Sequence, residues 1–269
     1  MAYVISIANQ KGGIGKTTMT INLADALQRF GRKVLVVDMN PQVHATKTYG
    51  AKIEGENTIV DVMKKDCSAK EAIQHMPMGD ILPGDSLLNQ EKMYFNSLTT
   101  REKILKKAIR SVDGDYDYIM IDTPPELDIY LINSLTASDG CVIPVDATQE
   151  YSIQGLDEFM KTVKEIKEDL NEDLKVYGIL ISRYDNYSDQ LEFVKNLPEF
   201  AAQYGIPAFE SSIKKNQFIE KVKKLKDIEN EDGTVEVVNR SLFENYGYSR
   251  GAKEYAAAAR ELIQKVEGV

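Results

Sequence analysis

The sequence predicts a doubly wound α/β fold, in which a mostly parallel sheet carries helices on both faces. Short apolar segments typical of buried strands alternate with helix-like segments along the whole chain, and a glycine-rich loop joins the first such strand to the first helix. No linker rich in Pro, Gly and Ser interrupts this alternation. With 269 residues and 43% hydrophobic content, the chain can bury one large core, so we expect residues 1–269 to form a single domain.

The predicted elements follow from local patterns. The apolar segment at residues 3–8 predicts the first strand, and the spacing of apolar residues over 17–30 predicts the first helix, which stops at Gly31. Further strands are predicted at residues 33–37, 118–121, 140–145 and 176–182. Helices are expected to begin near Leu127 and to cover residues 253–266. The sequence of residues 229–233, Glu-Asn-Glu-Asp-Gly, predicts a hairpin turn between Lys226 and Val235.

The loop between the first strand and the first helix indicates a binding site for a nucleotide polyphosphate. It reads Lys11-Gly12-Gly13-Ile14-Gly15-Lys16-Thr17-Thr18. Glycines allow the backbone N–H groups to turn inward around an anion, and the helix N-terminus adds roughly half a positive charge. Lys16 is expected to reach the β- and γ-phosphates, and Thr17 to bind Mg²⁺. A turn that binds nothing is the alternative, which the strand–loop–helix context disfavours.

Three predicted strands end on carboxylates, at Asp38, Asp122 and Asp146. Ligands of open parallel sheets bind at these carboxyl ends. The segment Tyr-Ile-Met-Ile-Asp122-Thr-Pro-Pro is typical of a strand that delivers an aspartate to Mg²⁺, which such a side chain can orient through the water ligands of the ion. An aspartate that only caps the next helix is the alternative.

The loop departs from the common phosphate-loop pattern, because Gln10 replaces the first glycine and Lys11 precedes Lys16 by five residues. In this it resembles the deviant Walker A motif of the ParA/MinD group of ATPases. The resemblance implies that Lys11 reaches the ATP of a partner subunit, so that ATP joins two copies into a homodimer. Two lysines at one loop repel each other unless polyphosphate charge offsets them. A solvated surface lysine remains the alternative.

Residues 38–46 occupy the place of the switch I segment of this group. They read Asp38-Met39-Asn40-Pro41-Gln42-Val43-His44-Ala45-Thr46, where the group has Asp-x-Asp-Pro-Gln-Gly-Asn-Ala-Thr. Asn40 thus replaces an aspartate that, by resemblance, positions the attacking water, and an amide cannot accept its proton. We expect slow hydrolysis with little loss of binding. The substitution fits a naturally slow ATPase, a chain altered to trap ATP, or divergence of the whole segment, since Val43 and His44 differ too.

The resemblance extends from residue 2 to about residue 266, although residues 47–117 match in layout more than in motif. It implies that Asp38 joins Thr17 and Asp122 at the Mg²⁺ site and that Arg183 borders the adenine. The closing segment Ser249-Arg250-Gly251-Ala252-Lys253-Glu254-Tyr255-Ala256 also resembles the group. His44 could act as a base, but a loop histidine is favoured because the group does its chemistry without one.

Binding to DNA without sequence preference is a further implication of the resemblance. Lys214, Lys215 and Lys224 are the candidate contacts, because the first two precede Asn216 at the position of the group's Arg-Asn pair. The net charge of −9 opposes this role unless charges segregate by face, and Tyr187 stands where the group often has an arginine. A solvated lysine-rich helix face remains the alternative.

Composition narrows the class of protein. No apolar run of about 18 residues occurs, and we expect a soluble, cytoplasmic protein. Cys67 and Cys141 are too few for a disulfide framework or a four-thiolate site.

The resemblance as a whole implies a ParA-type ATPase that uses ATP/ADP and Mg²⁺ and partitions DNA with a ParB-like or other centromere-binding protein. A MinD-like positioning ATPase, whose C-terminal helix would be basic and amphipathic, and a non-hydrolysing ATP-bound scaffold are the alternatives.

Overall fold

A computed structural model describes residues 1–148, 152–185, 187–230 and 234–268. Eight strands form one sheet in the order β3-β4-β2-β5-β1-β6-β7-β8, and two short strands form a separate hairpin. The strands are β1 Tyr3–Ile7, β2 Val34–Asp38, β3 Gln74–Met76, β4 Gly79–Leu82, β5 Tyr118–Asp122, β6 Gly140–Asp146, β7 Lys175–Tyr184, β8 Ala208–Lys214, β9 Ile228–Glu229 and β10 Val235–Glu236. In the large sheet only the β3–β4 pair is antiparallel; every other pair of neighbours is parallel.

Helices cover both faces of the sheet. They are α1 Lys16–Arg29, α2 His44–Tyr49, α3 Ile59–Lys64, α4 Ala69–Ala72, α5 Leu88–Ser97, α6 Ile104–Ile109, α7 Ile129–Ala137, α8 Ser152–Asp169, α9 Ser188–Gln203, α10 Gln217–Lys223, α11 Leu242–Tyr246 and α12 Arg250–Glu267. Along β1, Ile5 and Ile7 pack into the core under α1 and α12, whereas Val4 packs into the core on the other face. This alternation within one buried strand places a hydrophobic layer on each side of the sheet.

The doubly wound, mostly parallel α/β fold is confirmed, and the predicted strands appear with small shifts of their ends. The largest shift is in β7, which extends from Lys175 to Tyr184. The helix expected near Leu127 begins at Ile129, because the side chain of Asp128 caps it. The predicted hairpin is present as β9 and β10, with Val235 paired to Glu229, although turn residues 231–233 lie outside the described residues.

The parallel register brings the predicted carboxylates to one edge of the sheet. Asp38 and Asp122 are the last residues of β2 and β5 and lie opposite each other in the ladder. Ile7, the last residue of β1, also pairs with Asp122, so the loop that follows β1 starts beside it. Asp146 ends β6 and pairs with Ser182 of β7. The carboxyl ends of four adjacent strands therefore form the floor of one site.

Two further findings concern the class of protein. No helix within the described ranges is long and apolar enough to cross a membrane. Cys67 is half-buried, Cys141 is buried, and neither forms a disulfide.

Candidate nucleotide site

Residues 10–18, which comprise most of the loop between β1 and α1 and the start of α1, have the backbone geometry of an anion nest. Gly13 and Gly15 have φ angles of 73° and 90°, which an L side chain rarely adopts. Gly15 is the N-cap of α1, and neither a side-chain cap nor an acidic residue occupies the first turn of this helix. The first N–H groups of α1 are therefore open to an anion that approaches along the helix axis.

Lys16 is curled back over this loop. Its side chain is buried, and Nζ donates a hydrogen bond to the carbonyl oxygen of Lys11 at 2.8 Å. Burial lowers the pKa of Lys16 to about 8, although the nearby charge of Asp122 acts in the opposite direction. A buried ammonium with a single neutral acceptor is poorly compensated, so an anion in the loop would be strongly favoured.

Asp122 and Thr17 form the second part of the site. The hydroxyl of Thr17 donates to Oδ2 of Asp122 at 2.7 Å, while Oδ1 is buried without a partner among the described residues. Burial, with the charge of Asp38 as a further cause, raises the pKa of Asp122 to about 8. An unpartnered buried carboxylate oxygen next to a hydroxyl fits the needs of a hard cation such as Mg²⁺ or of its water ligands.

No cluster of three or more His, Cys, Asp or Glu residues in the described part of the chain could hold a metal ion. A cation beside Asp122 would therefore take most of its ligands from elsewhere, which is the usual situation of Mg²⁺ bound with a nucleotide.

Asp38 is the centre of a different network. Its Oδ2 accepts hydrogen bonds from the backbone N–H of Thr46 at 2.9 Å and from the Thr46 hydroxyl at 2.7 Å, and its Oδ1 accepts from the N–H of Asn40 at 3.1 Å. The Thr46 hydroxyl in turn accepts from the N–H of Gly84 at 2.8 Å. Burial raises the pKa of Asp38, which is fully enclosed. Both carboxylate oxygens are thus engaged in holding residues 38–46, called the switch segment below.

Asn40 and Val43 shape the centre of the switch segment. Asn40 is buried, and its Oδ1 accepts from the N–H of Gln42 at 3.1 Å. Its carbonyl oxygen accepts from the N–H of Val43 at 2.8 Å. Val43 has a φ of 52°, a strained conformation for a β-branched residue. His44 follows at the start of α2 and is exposed.

The end of β7 clamps the loop from the other side. Arg183 donates through Nη2 to both the carbonyl oxygen of Gly13 and the carboxylate of Asp146. The hydroxyl of Ser182 donates to the carbonyl oxygen of Ile14 at 3.0 Å. Sequence patterns gave no signal for Ser182, because its partner lies 168 residues away.

Lys11 lies at the rim of the site, where its aliphatic chain runs beside α8. Its Cδ is 4.0 Å from the position that a Cβ on Gly155 would occupy. The neighbouring Gln10, which replaces a glycine of the usual pattern, donates to the Thr162 hydroxyl of α8 at 2.7 Å. Asn9 fixes the start of the loop, since its Oδ1 accepts from the N–H of Lys11 at 3.2 Å and its Nδ2 donates to Pro144. These contacts of the loop with α8 and β6 were not predicted from the sequence, because the partners lie at least 135 residues apart.

The lysines predicted to contact DNA lie around α10. Lys215 and Lys224 are exposed, whereas the ammonium of Lys214 lies 5.2 Å from the ring centre of Tyr184. Lys223 of the same helix contacts the site itself, because its Nζ donates to the Thr18 hydroxyl at 3.0 Å.

Comparison with known proteins assigns the chain to a family. The AAA_31 family model, described as an AAA domain, matches residues 2–176. The sporulation initiation inhibitor protein Soj of Bacillus subtilis is 38% identical over 188 residues, which cover 69% of this chain and 74% of Soj. The chromosome partitioning protein ParA of Caulobacter vibrioides is 30% identical over 218 residues, or 79% of this chain and 80% of ParA. The chain belongs to the ParA-type partition ATPases.

A solved structure shows the same fold. Cobyrinic acid a,c-diamide synthase from Mycobacterium smegmatis, with bound ADP and magnesium, superposes with a TM-score of 0.80 at 26% identity and covers 98% of this chain and 95% of its own. The similarity thus includes the C-terminal third, which the family model does not reach. This ParA-type chain therefore has the P-loop ATPase fold over nearly its whole length.

Proposed function

We propose that this ParA-type chain is an ATP-dependent molecular switch that dimerises on ATP and partitions DNA. The observation that carries the proposal is the pairing of the glycine nest and buried Lys16 with an unpartnered oxygen of Asp122 beside Thr17. A polyphosphate and a divalent cation together would satisfy all of these groups. The relatives Soj and ParA, and a similar structure that holds ADP and magnesium, support the same assignment.

Different residues of the site bind the phosphates and the cation. The N–H groups of residues 12–18 cradle the phosphates, and Lys16 exchanges the Lys11 carbonyl for phosphate oxygens. Thr17 and Asp122 hold Mg²⁺, which supplies electrostatic stabilisation of the phosphate charge when it is bound. Asp38 supports the cation site indirectly, because its hydrogen bonds hold the switch segment in place. Arg183 binds the carbonyl oxygen of Gly13 on the side of the loop proposed for the adenine.

Hydrolysis is proposed to be slow because of Asn40. Its amide oxygen is occupied by Gln42, and an amide cannot take up the proton of the attacking water. The switch would then remain in its ATP state for long periods, until a ParB-like or other centromere-binding partner stimulates turnover.

Dimerisation is the first test. We expect Mg²⁺-ATP to convert monomer to dimer in sedimentation experiments, and Lys11→Ala to prevent this while it retains nucleotide binding. Lys33→Ala is the matched control, because this exposed lysine lies just before β2, at the end of the strands opposite the site. A wild-type chain that stays monomeric with ATP at tens of micromolar would contradict the proposed dimer.

Association with DNA is the second test. Reversal of Lys214, Lys215 and Lys224 to Glu should remove ATP-dependent retention of duplex DNA, because phosphate contacts by lysine are additive and salt-sensitive. Reversal of Lys70, Lys106 and Lys107, which are exposed on the opposite face, should leave retention unchanged. Equal loss in both triple variants would point to net charge and exclude a specific patch.

A further inference from the structure

A cavity of about 330 Å³ opens beside the nucleotide loop between α1, α2 and α10. Thr17 and Thr18 line one wall, and the ionisable side chains among its described lining residues are all basic: His44, Lys47, Lys223 and Arg240. This space is called the α1–α2 cavity below. A concave site lined by several cations and hydroxyl groups is complementary to an oxyanion.

Arg240 supplies a permanent charge that is fixed in place. Its side chain is only 9% exposed, and its guanidinium donates to the carbonyl oxygen of Leu225 at 3.0 Å and to Asp227 at 2.8 Å. Gly50, at the end of α2, makes room for this arrangement, since a Cβ there would lie 2.3 Å from Val237 and 3.4 Å from Arg240. Because Asp227 offsets much of its charge, the guanidinium adds a fixed polar group to the wall of the cavity and little net positive potential.

Lys223 is held at the mouth of the cavity. Its Nζ lies 3.0 Å from the Thr18 hydroxyl oxygen and 3.2 Å from Oε1 of Glu220, so the ammonium is already directed toward the loop. Its side chain is 39% exposed, which lets it turn to a ligand without unfolding its helix. Lys47 faces it from the last turn of α2 and is exposed.

We propose that the α1–α2 cavity binds a phosphate-type oxyanion distinct from the phosphates of the nucleotide. Lys47 and Lys223 bind it as exposed cations, the guanidinium of Arg240 forms part of the wall, and Thr18 offers a hydroxyl. The proposal goes beyond the nucleotide switch, because none of the three cations belongs to the phosphate loop. Free phosphate and the phosphodiester of a nucleic acid present the same chemistry to this site.

The test is a calorimetric titration of inorganic phosphate into the full chain saturated with a non-hydrolysable ATP analogue and Mg²⁺, so that all phosphate positions of the loop, including that of the γ-phosphate, are filled. We expect one saturable site in the wild type and a loss of affinity of at least about fivefold in Lys47→Ala and in Lys223→Ala. Lys70→Ala, which removes a lysine that is 77% exposed at the far edge of the sheet, is the control. Absence of saturable binding, or equal binding in all variants, would overturn the proposal.

Two further measurements separate this site from the nucleotide site. The ADP affinity of each variant is measured first, and the titration is repeated without nucleotide in Lys16→Ala, so that failure of the nucleotide assignment leaves this test intact. A short DNA duplex is then added as competitor. Displacement of phosphate supports the site and assigns it to a nucleic-acid backbone, whereas retention of phosphate supports a site for a free oxyanion.

Discussion

The nucleotide loop follows β1 and the switch segment follows β2, the two strands on either side of β5, yet they are built by different means. In the loop, the left-handed positions are glycines, Gly13 and Gly15, which adopt them without strain. In the switch segment the left-handed position is Val43, a buried β-branched residue. Such a conformation persists only when its surroundings impose it, and here the hydrogen bonds to Asp38 and Asn40 do so.

We expect nucleotide binding to depend on the loop and hydrolysis to depend on the switch segment. The residues that would hold phosphate and Mg²⁺ keep the pattern of the ParA group, and restraints from β7 and α8 fix the loop before any ligand arrives. The segment proposed to govern hydrolysis instead carries Asn40, Val43 and His44 in place of the group's residues. Changes in the loop should therefore alter affinity, and changes in the switch segment should alter turnover.

The largest expected effect is that of Lys16→Ala. We expect nucleotide affinity to fall at least about a hundredfold, or roughly 2.7 kcal/mol, because no other group in the loop supplies a buried cation. Calorimetric titration with ADP and Mg²⁺ measures this loss, and Lys11→Ala is the control that should retain affinity. Tight nucleotide binding by Lys16→Ala would contradict the assignment of Lys16 as the phosphate-binding lysine of the loop.

The next effect concerns the stability of the ligand-free chain. Because burial raises the pKa of Asp122, the folded chain binds more protons than the unfolded chain between about pH 4 and 8, so stability falls as pH rises through that range. Asp122→Asn should reduce this slope and, at pH 8, stabilise the free chain by about 1–3 kcal/mol.

Thermal melts of both forms at pH 5 and pH 8 measure this effect, and they should show that Mg²⁺-ADP stabilises the wild type more than it stabilises Asp122→Asn. Burial also raises the pKa of Asp38, so part of the slope should remain in the variant. Equal stabilisation of both forms by Mg²⁺-ADP would show that Asp122 does not contribute to the cation site.

Asn40→Asp tests the switch segment. The new carboxylate can still accept from Gln42, so the backbone is expected to keep its course. We expect turnover to rise about tenfold, which corresponds to roughly 1.4 kcal/mol of transition-state stabilisation, with equal or slightly weaker ATP binding. Phosphate release at saturating ATP, with and without DNA, measures the rates. Identical rates would show that Asn40 does not limit hydrolysis.

The smallest expected effect is that of Ser182→Ala, which removes one restraint on the loop. Loss of the bond to Ile14 should cost about 1 kcal/mol of stability, because the carbonyl is buried. Ser97→Ala is the matched control, since that hydroxyl also donates to a backbone carbonyl, at 2.7 Å, but is exposed. Denaturant unfolding of both variants compares them, and ATP turnover per bound nucleotide should not change in either.

Much of the site could be predicted because its parts are local in sequence. The glycine nest, Lys16 and Thr17 fall within one loop, and Asp122 closes an apolar strand. The unpredicted contacts join distant parts of the chain: Arg183 to Gly13, and Gln10 to Thr162. The roles of the predicted site residues, and the single domain over residues 1–269, stay predictions.

The order of the buried strands and helices, and the residues at the strand ends, followed from the sequence, because hydrophobic period and composition depend on neighbours along the chain. The sequence did not predict β3, β4 and β8, whose residues are partly exposed and lack a continuous apolar run. Tertiary contacts, which the sequence pattern does not reveal, saturate both oxygens of Asp38 with the switch segment and leave one oxygen of Asp122 without a partner among the described residues. Both carboxylates end apolar strands, so their difference arises from the loops that the fold brings against them.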